Sequence, residues 1–246
     1  MIAADGRMRK REGGKVEVVK DDVQKIYPIP GESLVYVLYG NMMLGKDEAD
    51  SGPIVVDLAS EVATAVASLV GQKFDDAVQY AESLSTPLLN RLTEASGKKQ
   101  ISRFPARSLD VEEGLPGHLI GYIFLFGYYN GKACEIDIRL FHRKHIPDKQ
   151  VIPAELWIGY NPKTWGSLVV AKGLFESAPN PFFEAERKKL PKRSDNPNIE
   201  EGIAVAKAYI SACDSDTGRG LDPDLCPGIG GKIQIAIIKP DSVTWA

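Results

Sequence analysis

Residues 117–142 constrain this chain more than any other stretch. Gly117 to Tyr129 is apolar on both alternating sets. Ile120, Tyr122, Phe124 and Phe126 fall on one, and Leu119, Ile123 and Leu125 on the other. A strand with this pattern is covered on both faces. Asn130-Gly131 follows, a strong signal for a tight hairpin because both residues tolerate left-handed backbone. Ala133 to His142 reads as the return strand. The rest of the chain has the material to cover such a hairpin. Its 246 residues are 43% hydrophobic and 26% charged, which suits a globular protein with a sizeable core.

The N-terminal 40 residues read as an antiparallel meander. Met1 to Arg7 is the end of a strand and a turn, and Met8 to Gly14 is a basic loop. Lys15–Val19 alternates polar and apolar residues as a half-exposed strand does. Val23–Ile29 and Leu34–Leu38 are two more strands, separated by the Pro30-Gly31 turn. The period then changes. Val55, Leu58, Val62, Val66 and Leu69 predict a helix over Ile54–Val70, opened by Pro53 and closed by Gly71. Phe74, Val78, Ala81, Leu84, Leu88 and Leu92 predict a second helix, kinked or broken at Pro87.

After the central hairpin, Glu155–Tyr160 and Ser167–Ala171 are candidate strands. Pro179 to Pro197 reads as a surface connection with a short helical piece. A third helix is expected over Pro197–Cys213, capped by Asn196. Asp214–Gly231 reads as a loop, and Lys232–Lys239 and Val243–Trp245 as closing strands. Strands, helix pair, strands, helix, strands is an α+β order. We expect a single domain over 1–246, with no linker long enough to divide it.

Charge and rare residues exclude several classes. Thirty Lys and Arg against 33 Asp and Glu give a net charge of −3, with no basic excess to attract nucleic acid or an anionic membrane. The longest apolar runs are far short of the roughly 20 residues that span a bilayer. Cys134, Cys213 and Cys226 form no Cys-x-x-Cys pair, which argues against zinc and for a reducing compartment. Met1 to Lys10 lacks the pattern of a secretory leader, so the chain is expected in the cytoplasm. His142 and His145 at a strand end read as surface residues, and Gly228–Gly231 lacks the spacing of a phosphate loop. No metal or cofactor is expected.

A dispersed constellation says more. It comprises Ile2-Ala3-Ala4-Asp5-Gly6-Arg7, Asp22 to Ile29, Val37-Leu38-Tyr39-Gly40, and Ile229 to Ile238 followed by Asp241 to Trp245. In its order and element types this series resembles the proteasome β-type subunits of the N-terminal-nucleophile hydrolases, over nearly the whole chain. The resemblance implies a four-layer αββα sandwich of two antiparallel sheets with outer helices. It implies peptide-bond hydrolysis by an N-terminal threonine whose own α-amine helps take the proton. On the family pattern Asp5 is the buried carboxylate and Lys25 the lysine it holds. Arg7 supports them, and Gly40 supplies the oxyanion-binding amide. It also implies assembly into a ring with like subunits. Taken without the pattern, Asp5 and Arg7 would be a turn ion pair and Lys25 a solvated strand residue.

The chain also departs from that family. Only Met1-Ile2 precede Ala3-Ala4-Asp5, where the family has a strand of about a dozen residues headed by the nucleophile. The family's Gly-Ser-Gly has Ala171-Lys172-Gly173 as its nearest counterpart, and its Asp-x-x-Ser falls at Cys226 and Ile229. Either the gene start lies further upstream or the subunit is truncated and inert. We expect the former, because a sheet without its first strand exposes an edge. A structural ring subunit and a small-molecule amidohydrolase of the same fold are the competing readings.

Overall fold

The computed structural model describes the chain except residues 13–14, 41–42, 46–53, 99–100, 102–116, 145, 155–165, 176–180, 189 and 192–197. The strands are β1 (Ile2–Ala4), β2 (Met8–Glu12), β3 (Lys15–Lys20), β4 (Ile26–Pro28), β5 (Ser33–Gly40), β6 (Met43–Gly45) and β7 (Ile54–Asp57). They continue with β8 (His118–Tyr129), β9 (Lys132–Arg143), β10 (Ile146–Pro153), β11 (Gln234–Lys239) and β12 (Ser242–Trp245). The helices are α1 (Leu58–Leu69), α2 (Ala77–Gly97), α3 (Leu168–Phe175), α4 (Glu184–Arg187), α5 (Ile199–Asp214) and α6 (Asp216–Leu221). The fold is α+β with antiparallel sheets and helices. One sheet has the order β10-β9-β8-β5-β4 and another β1-β11-β12, while β2-β3 and β6-β7 are separate two-stranded ribbons. Among the described residues no helix is long and apolar enough to cross a membrane.

The chain forms two compact units. One comprises Met1–Ile26, Trp157–Ile237 and Thr244–Ala246, and the other Tyr27–Leu156 and Ile238–Val243. The second unit is built around the central hairpin. Asn130 and Gly131 both have positive φ, 49° and 72°, the geometry of a turn matched to strand twist. It sets the register of β8 on β9, with Phe124 opposite Asp137. Leu84, Leu88 and Leu92 of α2 and Val62 of α1 pack in one apolar cluster with Ile123 and Ile138 of the sheet. Pro87 lies within α2 without ending it, so of the expected kink or break the break is ruled out. Pro87 is exposed while Leu84 and Leu88 beside it are buried, so the packed face runs on past the missing N–H.

Several local expectations are corrected. Ile54–Asp57 is strand β7, and the first helix begins only at Leu58, where the Asp57 carboxylate accepts from the N–H groups of Ala59 and Ser60. Ser167–Ala171 is not a strand; it opens α3, and the Ser167 hydroxyl accepts from the Val170 N–H at 3.2 Å. The basic segment from Met8 is not a loop but β2, paired with β3. Only Ile26–Pro28 of the Val23–Ile29 segment is strand, and α6 occupies part of the presumed loop after Asp214. Helix α5 is capped at Asn198, reciprocally with Glu201. The expected cap Asn196 with Pro197, the expected opener Pro53, the candidate strand 155–160 and His145 lie outside the described residues.

Candidate active site

The turn after β1 positions the first two predicted residues. Gly6 donates its N–H to the Gly230 carbonyl at 3.1 Å, and its own carbonyl accepts from the Val23 N–H at 2.9 Å. The N-terminal turn is thereby held between the segment before β4 and the segment before β11. Asp5 and Lys25 meet across it, with Lys25 Nζ 2.8 Å from Asp5 Oδ1. Both side chains are largely withdrawn from water, at 16% and 24% exposure. The same Asp5 oxygen also accepts from the backbone N–H groups of Arg7 at 2.9 Å and Gly230 at 3.4 Å. Lys25 is fixed by its backbone as well, since its N–H donates to the Gln234 side-chain carbonyl at 2.8 Å. The Gln234 amide in turn donates to the Val23 carbonyl at 2.5 Å.

Arg7 is the most buried charge of this group, at 8% exposure. Its Nε donates to Asp21 at 2.7 Å and its Nη1 to Asp214 at 2.5 Å. Asp214 also binds Arg219 at 2.5 Å. Hydrogen bonding to Asp21 and Asp214 raises the Arg7 pKa further, with Asp21 the larger contributor and burial opposing. The Arg7 hydrogen bond holds Asp21 below the ordinary carboxylate value. Gly230 comes close to this guanidinium. A Cβ there would lie 2.6 Å from Asp214 and 2.8 Å from Arg7, at a φ of 148°, so only glycine fits. Gly230, within the Gly228–Gly231 segment that lacks the spacing of a phosphate loop, thus serves close approach to the ion pairs. Arg7, Val18, Arg219 and Pro227 border a cleft of about 230 Å³.

The structure therefore brings Asp5, Arg7 and Lys25 together in one unit. Gly40 belongs to the other, at the end of β5 opposite Gly121. Its φ is 109°, and a Cβ there would lie 2.7 Å from the Gly121 Cα. Sequence reasoning missed Asp21, 14 residues from its partner Arg7, and Asp214 and Gln234, whose partners Arg7 and Val23 lie 207 and 211 residues away. His142 is not a surface residue: it is 3% exposed, and its ring stacks on His118 with centroids 5.3 Å apart. Cross-strand pairing of His118 with His142 in the β8–β9 register puts the two rings on the same face. Among the described residues no three His, Cys, Asp or Glu side chains form a group able to hold a metal ion. No family model matches the chain, nor does any curated protein or solved structure with which it was compared.

Proposed function

We propose that this chain is an N-terminal-nucleophile amide hydrolase of the proteasome β-subunit type. On this reading it is a four-layer αββα sandwich that cleaves peptide bonds in the cytoplasm, in a ring of like subunits, without metal or cofactor. What supports the reading is the Asp5–Lys25 ion pair at 2.8 Å, largely withdrawn from water at the turn after β1. An ammonium held there favours the deprotonated form of a hydroxyl or thiol presented beside it. Asp5 fixes the position of that ammonium, and Arg7 holds the turn that carries Asp5. The part assigned to Gly40, stabilising the oxyanion through its N–H, rests on the family resemblance. The reading needs a nucleophile upstream of Asp5.

The test is a form extended upstream of Met1 as the gene dictates, assayed on fluorogenic peptides. Turnover is expected where the exposed N-terminus is Thr, Ser or Cys. Lys25→Ala should then lower it by about 10²-fold or more, the scale of acid–base and electrostatic effects. Lys20→Ala, at an exposed strand end, should leave it unchanged. Equal effects of the two substitutions would return Lys25 to a solvated strand residue. Cleavage of small amides but not peptides would favour the amidohydrolase reading.

A structural, non-catalytic subunit is a second reading, and one observation favours it. Asp5 spends the same oxygen on two backbone N–H groups as on Lys25, which is what a carboxylate that only fastens a turn would do.

A further inference from the structure

Lys25 lies in residues 21–25, which join β3 to β4 and belong to no helix or strand. No ladder fixes this segment, so its backbone polar groups need other partners. Three groups at Lys25 and beside it converge on one side chain. Gln234 Oε1 accepts from the N–H of Lys25 at 2.8 Å and from that of Ile26 at 3.3 Å. Gln234 Nε2 donates to the Val23 carbonyl at 2.5 Å. These partners dictate the orientation of the amide, because the reverse would set an NH2 group against two N–H donors and an oxygen against a carbonyl. The glutamine side chain thus does for Lys25 what the backbone of a neighbouring strand would do.

Gln234 also belongs to the ladder that carries the other half of the ion pair. It is the first residue of β11 and faces Ala4 of β1, and Asp5 follows Ala4. The place of Asp5 is therefore referred to Gln234 through the backbone, and that of Lys25 through the Gln234 side chain. One residue is the common origin from which the 2.8 Å contact of Lys25 Nζ with Asp5 Oδ1 is laid out. Asp5 is held besides by the N–H groups of Arg7 and Gly230, so Lys25 is the partner whose place depends more on Gln234. A lysine carries its charge on a flexible four-carbon stem, and the ammonium is aimed only as well as its backbone is held.

The structure assigns to Gln234 the part of a positioning residue, one that sets where the Lys25 ammonium stands against Asp5. The geometric claim concerns Lys25 alone. Its meaning for turnover rests on the hydrolase reading proposed above, since a misplacement of about 1 Å in a reacting site can cost on the order of 10²-fold in rate.

The test reads Lys25 directly and needs no activity. In the unsubstituted chain, backbone hydrogen exchange followed by NMR should show the Lys25 N–H protected about 10²-fold or more over an unstructured amide. Acetylation by a limiting active ester, mapped by mass spectrometry, should mark the exposed Lys20 well before Lys25. Gln234→Met has a side chain of similar length without the amide. It should bring the Lys25 N–H to within about tenfold of the unstructured rate and raise Lys25 acetylation about fivefold or more. Lys149, bonded to Glu82, Ser85 and Thr86 in the other unit, should stay slow. Gln234→Glu, which keeps the accepting oxygens, should restore most of the Lys25 protection. If Gln234→Met unfolds the chain, Lys149 labels in step with Lys25, and Gln234→Glu decides in its place. An unprotected Lys25 N–H in the unsubstituted chain overturns the assignment. So does protection that survives Gln234→Met, or its loss in folded Gln234→Glu. In an active extended form, Gln234→Met should lower kcat about tenfold or more with KM nearly unchanged. If no extended form is active, the hydrolase reading fails while exchange and labelling still decide on Gln234. If turnover needs Lys25 but Gln234→Met leaves Lys25 in place, this inference fails alone.

Discussion

The unit around the central hairpin and the unit around Arg7 are held together by different means. In the first, Leu84, Leu88, Leu92, Ile123 and Ile138 belong to one apolar cluster, and each is 2% exposed or less. Its strands β8, β9 and β10 follow one another in sequence and pair with their chain neighbours. In the second, a smaller apolar cluster is accompanied by a chain of charges, Asp21–Arg7–Asp214–Arg219, that joins segments 207 residues apart. Apolar burial is non-directional and tolerates rearrangement. A buried guanidinium does not, because losing one partner leaves a charge without compensation. The Arg7 unit therefore trades redundancy for a fixed geometry at the place where Asp5 and Lys25 meet.

The largest effect should come from the apolar side of that contrast. Leu84→Ala removes a fully buried side chain and should cost about 3 kcal/mol, within the roughly 2–5 kcal/mol range for such truncations. Leu84→Met, which nearly conserves volume, should cost less than about 1.5 kcal/mol. Urea unfolding followed by circular dichroism measures both, and equal losses would mean that the core is loosely packed.

Next comes Arg7→Met, expected to cost about 2 kcal/mol. The figure is below that for a fully buried pair because Asp21 and Asp214 keep 52% and 34% of their exposure. Asp214→Asn should lose part of its own cost when Arg7 is already Met, by at least about 0.5 kcal/mol in a double-mutant cycle. Strict additivity of the two changes would show that the Arg7–Asp214 contact does not contribute to stability.

The smallest effect is one of acidity. The folded-state pKa of Asp21 is depressed by Arg7, so its contribution is fully present above its ordinary value of 3.8. It is lost as pH falls from there through the depressed value, while Arg7 keeps its charge. Melting temperature should accordingly fall more gently in that acid window for Asp21→Asn than for the unsubstituted chain. Parallel curves would remove Asp21 from the network.

What the sequence revealed divides along the same line. The hairpin was legible because a two-sided apolar run and Asn130-Gly131 are local signals. Helix α2 was legible from its apolar period, although Pro87 hid its continuity. Strand β10 was not foreseen, since Pro147, Asp148, Lys149 and Gln150 are poor strand formers and become strand by pairing with β9. The charged strand β2 was missed for the same reason. Asp5 and Lys25 were singled out through family resemblance, and the structure brings them into contact. Asp214 and Gln234 gave no signal, because a pairing across two hundred residues leaves no periodic trace in one chain; Asp21 pairs with Arg7 only 14 residues away, but no periodic pattern joins a side chain after β3 to a turn after β1.

The order in which the chain is made gives the β1–β11 pairing a further meaning. Ile2 faces Ala236 in that ladder. On a ribosome adding about 5–20 residues per second, the partner of β1 is made roughly ten to fifty seconds after β1 itself. The whole of the hairpin unit except Ile238–Val243 emerges in the interval. Its contacts close short loops and so form early. The N-terminal strand waits through that time without its β11 partner.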